Sequence, residues 1–270
     1  MFSFYKMQVA GSDFIIVDFL ERRLEYSFKL FSKYLCDRHF GVGGDGTIFL
    51  EKSEIADFKI KIFDKFGEEI EFCVNGILCI AKYVYENKAI NKTQFDIETK
   101  SEIVKIEVQD SLSEIEVDVG IPKFDLEDRY NSEVDNAYCD MLAIENLDIH
   151  MISLGEMYLV IFSDNIFRIN IEQILKKLED YKYFGDNCNI VFAQIVDEEN
   201  IKVRNWKRNI GEVLSSGTGA CAAAAVANKY KSISGTVNVN SLGGIHKILC
   251  EKSIKLKGNA ENVFWGKIVI

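Results

Sequence analysis

Proline is nearly absent from this chain, with one residue, Pro122, among 270, and histidine is almost as scarce. None of the three histidines, His39, His150 and His246, stands at helical ligand spacing from another or beside a CxxC pair, so a zinc site has little support. Long apolar runs are missing too. The N-terminus MFSFYKMQVAG has no charged region followed by an apolar stretch, and no later run is long enough to cross a bilayer. The expected location is therefore the cytoplasm. Blocks of like charge are also absent: the net charge of -10 is spread over interspersed acidic and basic residues. That pattern argues against nucleic acid or an anionic membrane as partner and in favour of a small molecule. The seven cysteines, at 36, 73, 79, 139, 188, 221 and 250, are odd in number and lack the dense spacing of a disulfide scaffold. They read as reduced thiols in a reducing compartment.

What is present is 48% hydrophobic content, enough for one large core or two ordinary ones, with no sign of disorder. Alternating apolar patterns at 14–18, 57–63, 102–110 and 113–119 predict strands. Helical patterns are fewer, near 30–38, 76–88, 171–181 and 219–230. The lone proline and a loop-like acidic stretch at 124–137 place a boundary just after residue 120, between halves of similar size.

The more informative pattern is internal. GEEIEFCVNGILCIAKYV at 67–84 and GEVLSSGTGACAAAAVA at 211–227 each carry Gly-Glu, a short apolar run, then Cys or Ser followed by x-[Asn/Thr]-Gly, then a helix. One unit has been used twice. Cys73-Val74-Asn75-Gly76 and Ser216-Gly217-Thr218-Gly219 each fall where a helix starts, where backbone N–H groups attract anions. If two related halves face each other, both helix starts can serve one cleft and hold an α-carboxylate. Preorganised donors of this kind stabilise the charge left when an α-proton is removed, so no pyridoxal or other cofactor is needed. One residue takes the proton and an opposed one returns it, inverting the centre, and Cys73 at a helix start suits that role. Read singly, either motif is more often a packing device; the duplication is what points to chemistry. Cys79 and Cys221 read as core thiols on the two helices.

Six separated motifs, GSDFIIVD at 11–18, CDRHFGVGGDG at 36–46, FDKFGEEIEFCVNG at 63–76, SLGEMY at 153–158, CNIVF at 188–192 and WKRNIGEVLSSGTGACAA at 206–223, resemble those of diaminopimelate epimerases. The resemblance covers nearly the whole chain. It implies an α/β (α+β) fold of two similar, pseudo-twofold domains, each an antiparallel sheet or barrel wrapped around a central helix. The first would span 1–120, completed by a final strand at 263–270, and the second 121–262. It also implies a cofactor-independent racemase or epimerase that works as a homodimer. Cys73 matches one catalytic cysteine, and Val74, Asn75, Gly76, Gly217 and Thr218 match the groups holding the reacting end of the substrate.

Ser216 stands where the second catalytic cysteine belongs. A hydroxyl is a far weaker acid than a thiol, so racemisation by the chain as written is expected to be impaired. Three readings stay open: a serine introduced to trap a ligand, a one-cysteine lyase, and a ligand-binding protein. The far end of the site departs as well. The family's asparagines are matched here by Ser12, Asp64 and Glu156 and its glutamate by Lys207, while Asn189 and Arg208 remain. Carboxylates in place of amides disfavour a distal carboxylate and favour a cationic or donor side chain, such as histidine or another basic amino acid. Diaminopimelate or lanthionine is the alternative. Against this, Asp64 could cap a turn, and Glu156 and Lys207 could pair with each other.

Overall fold

The structure, a computed structural model, describes residues 1–21, 27–109, 114–124, 148–179, 188–231 and 233–269. Cys139 and the acidic stretch beyond Phe124 lie outside the described residues. In chain order the first half carries β1 (Phe2–Val9), β2 (Ser12–Asp18), α1 (Phe28–Cys36), β3 (Gly46–Glu51), β4 (Phe58–Asp64), β5 (Glu69–Ile70), α2 (Val74–Glu86), β6 (Gln94–Glu98), β7 (Ile103–Val108) and β8 (Ile115–Gly120). The second carries β9 (Asp148–Leu154), β10 (Glu156–Phe162), α3 (Ile171–Glu179), β11 (Cys188–Ile195), β12 (Asn200–Lys207), β13 (Gly211–Val213), α4 (Gly217–Tyr230), β14 (Gly235–Ser241), β15 (Gly244–Cys250) and β16 (Ile254–Gly258), and β17 (Glu261–Ile268) follows. Two compact units result, Met1–Asp118 with Leu256–Ile270, and Val119–Lys255. No helix among the described residues is long and apolar enough to cross a membrane.

Strand alternation is visible in burial: β4, β7 and β8 each bury every second side chain for most of their length, as a half-buried pleated strand must. In the first unit β1 pairs antiparallel with β2 and β17, β2 runs parallel to β3, β3 antiparallel to β4, β4 antiparallel to β5 and parallel to β6, and β6 antiparallel to β7. The second unit repeats this order: β9 antiparallel to β10, β10 parallel to β11, β11 antiparallel to β12, β12 antiparallel to β13 and parallel to β14, and β14 antiparallel to β15. The duplication read from two short motifs thus extends to the whole strand order.

The sheets are mixed rather than wholly antiparallel. Each parallel pair is joined by a helical crossover, α1 or α3 between the second and third strands and α2 or α4 before the sixth, because parallel neighbours need a long connection. Helices α2 and α4 are the central ones, buried along most of their lengths. Helix α2 packs on β1, β2 and β3, and α4 on β9, β10, β11, β12, β14 and β15. The unbroken run of small residues from Gly217 to Ala225 lets strands approach α4 closely.

The second unit also buries a histidine. His246 on β15 is 1% exposed, its Nε2 has no hydrogen-bond partner among the described residues, and burial lowers its pKa to about 4. The unfolded chain holds this proton up to the ordinary value near 6.5, so between 6.5 and 4 the unfolded state binds more protons than the folded one. Stability from this group is complete above about 6.5 and falls as pH drops towards 4. The native protein is expected to lose about 2 kcal/mol more than His246→Leu between pH 7.5 and 5, read from urea unfolding at both values. Equal losses in the two proteins would show that His246 carries no such dependence.

Candidate functional site

Strand register aligns the two units residue by residue. Phe14 on β2 faces Gly46 on β3 as Tyr158 on β10 faces Asn189 on β11, and Glu69 faces Phe63 as Glu212 faces Trp206. Ser12 thus corresponds to Glu156, Asp64 to Lys207, and Cys73 to Ser216. The glycine of the repeated Gly-Glu does not keep its place. Gly67 lies inside a turn at φ 79°, whereas Gly211 already stands in β13: the turns are equally long, and the glycine itself sits one position later in the second.

Cys73 and Ser216 are both N-caps with nearly the same backbone, φ -150° and ψ 102° against φ -143° and ψ 112°. Both are buried, and the helix begins immediately after each. The third helical residue is glycine in both because the helix start lies directly on the sheet. A Cβ on Gly76 would stand 3.2 Å from Ile48 and 3.3 Å from Ile62; one on Gly219 would stand 3.1 Å from Val191 and 2.6 Å from Asn205 Oδ1. The side chains then differ. Ser216 Oγ accepts a hydrogen bond from the Gly219 N–H at 3.1 Å, the usual N-cap bond, whereas the Cys73 thiol makes no side-chain cap bond.

Near Ser216 the second unit carries a run of hydrogen-bonded polar groups. The Tyr158 phenol, near the Ser216 and Thr218 hydroxyls, donates to Glu156 Oε2 at 2.7 Å. Asn189 Nδ2 donates to the same oxygen at 3.1 Å, and Asn189 Oδ1 accepts the Arg208 N–H at 3.2 Å. Three of the residues singled out in the sequence, Glu156, Asn189 and Arg208, are thereby connected. Tyr158, which bonds the same Glu156 oxygen, was not singled out; its place two residues after Glu156 on one face of a strand was the available signal. Burial, and then the Glu156 carboxylate beside it, push the Tyr158 phenol far up, so it keeps its proton. Asn205, buried beneath Gly219 at the position of Ile62, also went unnoticed, and its side-chain atoms have no partner among the described residues.

In the first unit Ser12 opens β2, opposite Val9, and Asp64 ends β4, opposite Gly46. Asp64 Oδ1 accepts the N–H groups of Phe66 and Glu68 at 2.9 and 2.8 Å, so this oxygen caps the turn into β5. Lys207 ends β12 opposite Gly211, just before a turn in which Asn209 takes φ 64°. Val74, Asn75 and Gly217 are buried in the first turns of their helices. Cys79 and Cys221 are fully buried, and burial drives both thiols up, as it drives Cys188 up to about 12. Such thiols are poor nucleophiles and poor bases.

The family model for diaminopimelate epimerase matches residues 4–124 and 150–263. A diaminopimelate epimerase of Caldanaerobacter subterraneus is 34% identical over 275 residues, covering 99% of each chain. Among solved structures, a phenazine biosynthesis protein of the PhzF family from Bacillus anthracis superposes with TM-score 0.70 at 18% identity, covering 100% of this chain and 99% of that one. A hydroxyproline epimerase from Agrobacterium vitis gives TM-score 0.70 at 10% identity, covering 98% and 91%. At those identities the two structures show that the fold is shared. Matched by the family model along both units and by a relative over nearly its full length, the chain belongs to the diaminopimelate epimerase family.

Proposed function

We propose that this protein is a cofactor-independent amino-acid racemase that inverts the α-carbon by a two-base mechanism, acting on histidine or another basic amino acid. The observation carrying the reading is the pair of equivalent N-caps: a thiol at 73 and a hydroxyl at 216, each at the start of a buried central helix with the same backbone geometry. Val74, Asn75, Gly76, Gly217 and Thr218 supply the N–H groups and small side chains of those starts, suited to a carboxylate and to the charge that develops on deprotonation. Cys73 and residue 216 exchange protons with opposite faces of the α-carbon.

The preference for a basic side chain rests chiefly on Glu156. An acidic group stands where the family has an amide, bonded to Asn189, whose other end meets the Arg208 backbone. A carboxylate there repels a distal carboxylate and attracts a donor. Asp64 contributes less to this argument, since one of its oxygens caps its own turn. Ser12, Lys207 and Arg208 complete the proposed set of substrate-reading residues. Diaminopimelate is the second reading, favoured by the name of the 34% identical relative.

The test is α-hydrogen exchange by proton NMR in heavy water, offering histidine, lysine, arginine, ornithine and diaminopimelate to the native protein and to Ser216→Cys. The variant is expected to exchange one basic amino acid at least about tenfold faster than the native chain, because a thiol is the better proton carrier. Exchange with diaminopimelate alone would establish the second reading. No exchange with any of the five by Ser216→Cys would refute racemisation of these substrates and leave a lyase or a binder.

A further inference from the structure

The carboxylate of Glu156 uses its two oxygens differently. Oε2 accepts the Tyr158 phenol at 2.7 Å and Asn189 Nδ2 at 3.1 Å. Oε1 accepts no hydrogen bond among the described residues and stays within reach of solvent, on a side chain that is only partly buried. One oxygen is held by the protein; the other is open to a ligand.

Strand geometry builds this arrangement. Glu156 and Tyr158 stand two residues apart on β10, hence on one face, and the parallel register sets Tyr158 beside Asn189 on β11. Asn189 Oδ1 accepts the Arg208 N–H at 3.2 Å, which turns the Nδ2 of the same amide towards Glu156. Tyr158 is 1% exposed and Asn189 9%, so water does not compete for either donor. In the first unit the equivalent positions hold Ser12 and Phe14, a short hydroxyl and a ring with no oxygen. A glutamate left to itself samples several rotamers and loses them on meeting a ligand; two donors on one oxygen remove that cost in advance.

We propose that Tyr158 is a positioning residue for substrate choice: with Asn189 it fixes Glu156 Oε2, so that Oε1 meets the distal N–H donor of a basic amino acid. This rests on the basic-substrate reading above. The side chain that fits ends in a cationic nitrogen or a ring N–H, as those of lysine, ornithine, arginine and histidine do. A distal carboxylate meets a charge that cannot swing aside, and diaminopimelate is disfavoured for that reason.

Titration calorimetry on the native chain with histidine, lysine, arginine, ornithine and diaminopimelate reads the effect as a dissociation constant. At least one of the four basic amino acids is expected to bind more tightly than diaminopimelate. Tyr158→Phe, which gives β10 the ring that β2 carries at the equivalent position, should weaken that amino acid about tenfold and narrow its margin over diaminopimelate by a similar factor. Glu156→Gln should cost at least as much. In the Glu156→Gln background Tyr158→Phe should cost less than about twofold, because the tyrosine acts through the carboxylate. Equal losses in both backgrounds, or one loss common to all five ligands, would make Tyr158 a structural residue and overturn the inference. Unchanged binding in Tyr158→Phe would overturn it too, as would a native chain that binds none of the four or prefers diaminopimelate to all of them. Failure of the racemase reading shows separately: the expected binding pattern without α-hydrogen exchange in the native chain or Ser216→Cys would refute racemisation and leave Tyr158 and Glu156 as the specificity pair of a binder.

Discussion

Cys73→Ala is expected to lower α-hydrogen exchange by about 10³-fold or more in both the native and the Ser216→Cys protein, because it removes the proton-transfer group of one face. The change should cost the fold little. The thiol makes no cap bond to the helix backbone, so the usual penalty for losing an N-cap side chain does not apply. A normal unfolding transition beside lost exchange would place the loss in the chemistry. Cys73→Ser sharpens the result. A hydroxyl is a far weaker acid than a thiol, so Cys73→Ser is expected to be nearly as inactive as Cys73→Ala. Cys221→Ala, on the buried face of α4 with a thiol driven up by burial, should retain exchange. Exchange by Cys73→Ala at the native rate would exclude the thiol as the base.

Much of this arrangement was legible in the sequence for a physical reason: a helix start on a sheet demands particular residues. The cap, the small third residue and the apolar run beneath recur at Cys73–Gly76 and Ser216–Gly219 because each helix must lie against two strands, and a pattern forced twice is easy to see. Alternating burial made β4, β7 and β8 readable in the same way. Register was harder. The repeated Gly-Glu suggested one alignment, but strand pairing matches Glu212 with Glu69 rather than Glu68, since register is set by backbone pairing across the turn, which a dipeptide does not encode. The parallel pairs were equally hidden, for alternation reports which face is buried and not strand direction. Tyr158 was missed because its role depends on which strand stands beside β10, and Asn205 because a lone amide in a strand reads as solvent-facing until the helix above it is known. The turn cap made by Asp64, by contrast, was among the alternatives its place in the sequence offered.

Asp13→Ala is expected to destabilise the first unit by about 3–5 kcal/mol, the range for removing one partner of a buried ion pair. Lys6 on β1 is 6% exposed, its ammonium donates to the Gly43 carbonyl, and it pairs with Asp13 Oδ2 at 2.5 Å. Arg38 grips the same carboxylate with both terminal nitrogens, at 2.7 and 3.0 Å, and the Asp45 N–H donates to Asp13 Oδ1 at 3.1 Å. Burial raises the pKa of Asp13, but the hydrogen bonds from Arg38 and Lys6 outweigh it and bring the value to about 2. The folded value lies below the unfolded one near 3.8, so this stabilisation is complete above about pH 4 and is lost as pH falls towards 2. Without Asp13 the Lys6 ammonium would stay buried, leaving its charge uncompensated at that carboxylate's position. Replacing both partners by apolar residues, Lys6→Met with Asp13→Leu, should recover most of the loss, because the penalty belongs to the stranded charge and not to the missing attraction. The exposed pair Lys29–Glu68 provides the contrast: Glu68→Ala should change stability by less than about 1 kcal/mol. Urea unfolding of the variants at pH 7 decides the point. A loss below about 1 kcal/mol for Asp13→Ala would mean that Lys6 finds water or another acceptor when its partner goes, and that the CDRHFGVGGDG segment is held by its backbone rather than by this carboxylate.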